Sequence, residues 1–251
     1  MALLRPFSIL VVFILHSAIG GTSPLNEQHI ISDIDSTTSN AGYKVRKELW
    51  DAEIIPTVID DFIPPLLLNA RWPHHHTHAS LGNTLKPSKL DSAPSITLEG
   101  YNQALNNWKE GMTYVITLTD PDAPSRDDPK WSEFCHWIAV GVSVSSHNRI
   151  GVDFHHDDDS EIMEYKPPSP PERTGKHRYV LLAFAPANGT TEKLHLSKPS
   201  GRKHWGYDVD GDGKKRERET KGVREWAAEN GLVPVGESSH LKHAREDADM
   251  W

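Results

Sequence analysis

Cysteine is nearly absent. Cys135 stands alone among 251 residues, so no intrachain disulfide is possible and the core must hold the fold unaided. Positive charge is also scarce. Against 27 Lys plus Arg stand 35 Asp plus Glu, a formal net charge of -8. That balance offers no basic face for phosphate backbones, which excludes a general nucleic-acid binder. Beyond the N-terminus no apolar run is long enough to cross a bilayer, so membrane contact is peripheral at most. What the chain has in quantity is 18 Pro and 15 His. Pro removes a backbone donor and breaks helices, which favours a loop-rich, β-containing domain over a helix bundle.

Residues 1–20 have the layout of a secretory signal peptide. Arg5 gives a positive end, Phe7 to Leu15 an apolar stretch, and Ala18 and Gly20 a small-residue cleavage context. The chain is therefore expected to be secreted. Asn188-Gly189-Thr190 forms an N-glycosylation sequon in a surface-loop context. Residues 21–42 are polar and weakly patterned, a flexible lead-in. Residues 43–236 hold the domain, and 237–251 form a polar tail.

Within the domain, Val45, Leu49 and Ala52 lie at helical spacing in Tyr43 to Ala52. Phe62 to Trp72 is apolar and extended, and Pro64 and Pro65 push it toward a sheet edge. Thr113 to Thr119 alternates two usable faces, as an interior strand does. His136 to Val144 and His177 to Ala185 read as two further strands. Val223 to Asn230 reads as a helix stopped by Gly231. The pattern predicts a mainly β domain, a two-sheet antiparallel β-sandwich with peripheral helices.

Asp120-Pro-Asp-Ala-Pro-Ser-Arg126 follows the first of these strands directly. If the next strand is its antiparallel neighbour, Asp120 and His136 share one end of the sheet. Tyr179 lies two residues beyond His177 and shares its face. Two imidazoles and a phenol at one rim are donors suited to phosphate or carboxylate. Asp120 would orient one His and leave its other N–H for the ligand.

The segments "LTDPDAPSRDDPKW", with His136 after it, and "RTGKHRYVLLAF" resemble the phosphatidylethanolamine-binding protein family. Trp205-Gly206-Tyr207 and "EWAAENGLVPV" are similar to its fungal members, which include carboxypeptidase Y inhibitors. The resemblance implies a β-sandwich with a small anion pocket, carried here by Asp120, Pro124, His136, His177 and Tyr179. It also implies that Asp122 and Arg126 brace the loop from within the motif. Trp131 stands where the family commonly has Tyr, and Ser169 where a pocket-lining Gly is usual. Cys135 replaces the first of two adjacent His, and Lys166 to Arg173 replaces a Gly-rich stretch. The implied function is non-enzymatic binding, without a cofactor, of a small anion such as a phospholipid head group, phosphate or acetate. The alternative is inhibition of a serine carboxypeptidase through protein contact. Two histidine donors would make anion affinity fall as pH rises past about 6.5.

Other signals carry less. Asp208, Asp210, Asp212, Gly213 and Glu219 have EF-hand spacing, which makes them a weak calcium candidate. Pro199, Gly201 and Gly206 preclude an entering helix, and Lys214, Lys215 and Arg216 add positive charge, so a solvated loop is expected and no metal. His74, His75, His76 and His78 fall in a hairpin loop, and His155 to Asp159 in a solvated one. Cys135 should face away from His136 as an inert thiol. Ser125 lacks a nucleophile elbow.

Overall fold

A computed structural model describes residues 9–10, 42–79, 82–100, 112–146, 149–153, 160–190, 192–206 and 222–235. In chain order the strands are β1 (Ile9–Leu10), β2 (Leu66–Trp72), β3 (Thr77–Ala79), β4 (Ser95–Gly100), β5 (Thr113–Asp120), β6 (Phe134–Ser146), β7 (Arg149–Asp153), β8 (Glu161–Met163), β9 (His177–Arg178), β10 (Val180–Pro186) and β11 (Leu232–Pro234). Helix α1 spans 42–51, and α2 spans Val223–Glu229.

Nine strands form one antiparallel ladder in the order β11-β10-β5-β6-β7-β4-β2-β3, with β8 also pairing β6. The ladder folds over itself into two layers. Tyr114, Ile116 and Leu118 of β5 share a buried cluster with Leu68, Ala70 and Trp72 of β2 and Ile96 and Leu98 of β4. The mainly β, two-sheet antiparallel architecture expected from the sequence is therefore present. The opposite face of the central strands is covered by helices and loops. Val115, Ile138, Val180, Leu182 and Phe184 pack there with Val45 and Leu49 of α1, Ile54, Ile55, Val58 and Ile59, Trp205, and Val223, Trp226 and Ala227 of α2. All eight residues of β5 are buried, because both of its faces meet a core. Each fully buried aliphatic side chain contributes roughly 1.5–3 kcal/mol, which is how such a chain does without disulfides.

Two expectations need correction. Pro64 and Pro65 do not place β2 at the sheet edge. Its Leu66–Arg71 pairs β4 and its Ala70–Trp72 pairs β3, so only the half nearest the prolines has one open side. The third strand is not continuous either. It breaks at Tyr179, giving β9 and β10. β9 pairs in parallel with β1, which lies within the expected leader, so cleavage near Gly20 would free that edge. The predicted helices form, and α2 ends at Asn230 and at Gly231, whose φ is 64°. The four-histidine run lies in the β2–β3 hairpin as expected.

Behind the central strands, α2 is latched by a buried carboxyl. Glu133 Oε2 accepts from Thr119 Oγ1 at 2.9 Å and from the Val223 N–H at 3.4 Å, and Trp205 Nε1 donates to Thr119 Oγ1 at 3.0 Å. Gly222 is required beside it, since a Cβ there would overlap the Glu133 carboxyl. Burial pushes the Glu133 carboxyl up to about 8 from an ordinary 4.5. The unfolded chain therefore releases this proton more readily than the folded one. Stability falls as pH rises from 4.5 toward 8. Glu133→Gln should remove that decline, and denaturant unfolding at pH 5 and pH 8 measures it. An unchanged decline in the variant would contradict the latch.

Candidate functional site

The site lies at the end of the sandwich where β5 leaves the sheet. Asp120 closes β5, opposite Phe134 of β6. The β5–β6 register slips between Leu118/Thr119. Leu118 faces Trp137 and Thr119 faces Cys135, so His136 is the extra residue of a bulge. A bulge re-aims the side chain it carries. Cys135 remains in the helix-side core, fully buried, with its thiol pushed up to about 12 by desolvation. Ser125 serves its turn, its Oγ accepting the Asp128 N–H at 3.1 Å.

Two acid–base pairs fasten the loop after β5 to β9. Asp120 Oδ2 meets His177 Nδ1 at 2.9 Å, with both side chains almost wholly buried. Asp120 Oδ1 accepts the Asp122 N–H at 2.8 Å, and the Tyr179 phenol lies beside the same carboxylate. Burial and this charge hold the Tyr179 phenol well above its usual range. Asp122 accepts the Arg178 backbone N–H at 2.7 Å and its guanidinium at 2.6 Å and 3.0 Å. Arg178 also donates to the Ala52 and Glu53 carbonyls, each at 3.0 Å.

Asp120, His177 and Tyr179 border a cavity of about 210 Å³. Every residue expected there lines it: Asp120, Pro124, Trp131, His136, Ser169, His177 and Tyr179. The Pro-rich stretch forms a wall through Lys166, Pro167, Pro170 and Pro171 without filling it. Phe134 and Ala123 complete the lining, and sequence reading missed them. Phe134 was readable in principle, since it alternates with His136 at a strand's start. The His136 ring meets Phe134 at 4.9 Å and Tyr179 at 5.1 Å between centroids. Trp131 is capped outside by Lys203, 4.1 Å above its ring.

The proton arrangement differs from expectation. Thr174 Oγ1 lies 2.8 Å from the Pro171 carbonyl and 3.0 Å from His177 Nε2. If its one proton goes to Pro171, Nε2 donates to the hydroxyl; otherwise Nε2 accepts from it. Either way His177 has no N–H left for a ligand. His136 Nδ1 is 2.7 Å from the Lys166 carbonyl, which only accepts, so Nδ1 carries the hydrogen. Burial holds the His136 imidazole down at about 4. The ring is neutral at pH 7, and its Nε2 is an acceptor.

Arg126 also departs from expectation. It pairs with Glu53 at 2.7 Å on the surface and does not brace the loop from within. Arg178, the middle residue of His177-Arg178-Tyr179, does that work with Asp122. The calcium candidate Asp208, Asp210, Asp212 and Glu219 lies outside the described residues, as do residues 155–159. Among the described residues no group of three or more metal-ligating side chains occurs. Asn188 is exposed in the turn after β10, its Oδ1 accepting the Thr190 N–H at 3.1 Å.

With this geometry, comparison with known proteins is decisive. The family model for phosphatidylethanolamine-binding protein matches residues 75–233. The chain belongs to that family. It is 31% identical over 173 residues to the carboxypeptidase Y inhibitor of Saccharomyces cerevisiae, covering 62% of this chain and 74% of the relative. A crystal structure of carboxypeptidase Y inhibitor complexed with the cognate proteinase superposes with a TM-score of 0.62 at 29% identity, covering 78% of this chain and 92% of that one. A phosphatidylethanolamine-binding protein from Plasmodium vivax shares the fold, with a TM-score of 0.52 at 19% identity over 76% of this chain and 93% of that one.

Two outcomes follow from the site's electrostatics. His177→Ala should destabilise the fold by roughly 3–5 kcal/mol, because Asp120 is then left buried without its partner. A chemical-denaturation midpoint equal to that of the wild type would refute this. His136 takes up a proton near pH 6.5 when unfolded but near 4 when folded. Protonation thus favours the unfolded chain, and stability falls as pH drops through that window. Relative to His136→Phe, the wild type should lose on the order of 3 kcal/mol between those limits, read from paired unfolding curves.

Proposed function

We propose that this chain is a non-enzymatic binding protein whose cavity takes a small oxyanion, such as a phosphate ester or an acidic head group. One observation carries the reading. Residues from β5, β6, the Lys166–Arg173 stretch and β9–β10 converge on one open hollow whose walls are mostly proline and aromatic rings. Such a hollow excludes water around a small polar guest. Lys166 is exposed at its rim and supplies positive charge. Secretion after cleavage near Gly20, and glycosylation at Asn188, belong to the same proposal.

The expected pH dependence shifts with the geometry. A free His136 held near 4 cannot give anion affinity a midpoint at 6.5. Affinity for an anion that takes its proton from His136 should stop rising only below about 4. Titration with O-phosphoethanolamine, followed by the indole N–H resonance of Trp131, tests occupancy. Ser169→Trp, at the exposed rim, should weaken binding at least about tenfold, or ~1.4 kcal/mol. No saturable shift at millimolar ligand in the wild type would remove the reading.

Inhibition of a serine carboxypeptidase is the second reading, favoured by the extent of the match to the complexed inhibitor. Peptide hydrolysis by yeast carboxypeptidase Y should then fall with added protein. Undiminished hydrolysis at micromolar protein removes it.

A further inference from the structure

The hydrogen-bond pattern around His136 fixes more than the presence of a pocket. The Lys166 carbonyl has only lone pairs, so the contact at 2.7 Å holds the proton on Nδ1. Nε2 has no hydrogen-bond partner among the described residues. It is not sealed either: the described buried side-chain atoms without a partner are Thr117 Oγ1 and Arg224 Nε. Nε2 of this cavity-lining ring is thus reachable by a guest as a lone-pair acceptor.

The donors in the lining, the Ser169 hydroxyl, the Trp131 indole N–H and the Lys166 ammonium, can meet the bare oxygens of a monoester and a diester alike, so they do not tell the two apart. The Asp120 carboxylate is engaged by Asp122 and His177, and both His177 nitrogens are engaged by Asp120 and Thr174. The charged and titratable groups facing His136 are Asp120 from β5, His177 and Tyr179 from β9 and the residue after it, Lys166 from the Pro-rich stretch, and Arg202, which donates to the His136 carbonyl at 3.2 Å. Desolvation opposes a charged imidazole most, joined by the charges of Arg202 and Lys166, while the hydrogen bond to the Lys166 carbonyl and the Asp120 charge favour it, and the balance keeps the ring neutral.

We infer that the cavity selects an oxyanion that brings its own proton, a phosphate monoester or inorganic phosphate monoanion, over a phosphate diester, because His136 Nε2 accepts a P–OH hydrogen that a diester lacks. This rests on the anion-pocket reading and narrows it. Within the lipids it favours a terminal phosphate over the diester linkage of phosphatidylethanolamine. The pH course follows from proton counting. Below the second phosphate ionisation, near pH 6, the monoester carries its proton and binds without proton uptake. Above it, affinity falls about tenfold per pH unit, because the lost proton must be restored.

Methyl phosphate and dimethyl phosphate make the test, since at pH 5 each carries one negative charge and they differ in the P–OH. Calorimetry should show methyl phosphate binding at least about tenfold tighter, or ~1.4 kcal/mol. Its affinity should be level from pH 5 to about 6 and decline above. His136→Phe should erase the difference, and nitrogen-15 shifts of the wild-type ring should report the Nδ1–H tautomer. Vesicles containing phosphatidic acid separate the sources: binding there assigns a lipid monoester, and binding to methyl phosphate alone assigns a soluble one. Equal affinities for the two esters, or an Nε2–H tautomer, overturn the inference and leave the anion pocket standing. Absence of binding by both overturns the pocket reading as well.

Discussion

The molecule depends on a pair of buried acids fastened to a pair of adjacent bases. Asp120 and Asp122, two residues apart in a proline-stiffened loop, meet His177 and Arg178, neighbours in one short strand. Burying a carboxylate is costly unless it is paired and hydrogen-bonded. Here both are satisfied several times over, by backbone N–H groups as well as by the bases. The arrangement locks the loop to the strand at one register. Arg178 extends the lock to the 52–53 carbonyls, so the helix-side layer is tied to the same point. The cavity lies directly against this knot, with Asp120 and His177 in its wall.

The same knot decides what the cavity can offer. Donors that look available in the sequence are consumed in building it. His177 serves Asp120 and Thr174, and the Tyr179 phenol stands beside the Asp120 charge, which holds its proton on. The imidazole left over is His136, displaced from the β-ladder by the bulge and turned into the hollow. Its proton is committed to the Lys166 carbonyl. A site assembled from nominal donors therefore presents a lone pair, with positive charge at the rim from Lys166. Chemical complementarity then has to come from the guest as much as from the host.

Much of this was legible in the residues. Strict alternation in Thr113 to Thr119 gave β5, helical spacing gave α1, and Gly231 marked the end of α2. The cavity lining was legible because Asp120, His136 and His177 sit at strand ends that antiparallel pairing must bring together. What could not be read was register at the level of one residue. The bulge at His136 leaves no compositional mark, since Cys135 and Trp137 look like ordinary alternating positions. Hydrogen-bond partners supplied by main-chain carbonyls were equally hidden, because Lys166 contributes an oxygen that any residue would carry. Arg126 misled because its place in the motif implied a brace within its own loop, whereas its partner, Glu53, is distant in sequence.

The departures from the family pattern now separate by the face they occupy. Cys135 belongs to the helix-side core, where Arg202 donates to its carbonyl at 3.2 Å and its thiol touches no cavity wall. With Cys135 on that face, the one imidazole that this strand turns into the hollow is His136. The Lys166 to Arg173 stretch is different, for it is itself a wall. Proline has no N–H, so Pro167, Pro170 and Pro171 line the mouth without a single backbone donor. A Gly-rich wall could turn several amide hydrogens toward an anion; among its lining residues this one keeps only that of Ser169, since the Lys166 N–H is given to the His136 carbonyl at 2.8 Å. The substitution thus removes donors at the place where His136 already presents an acceptor. Both changes act in one direction, toward a guest that supplies hydrogen rather than one that only receives it.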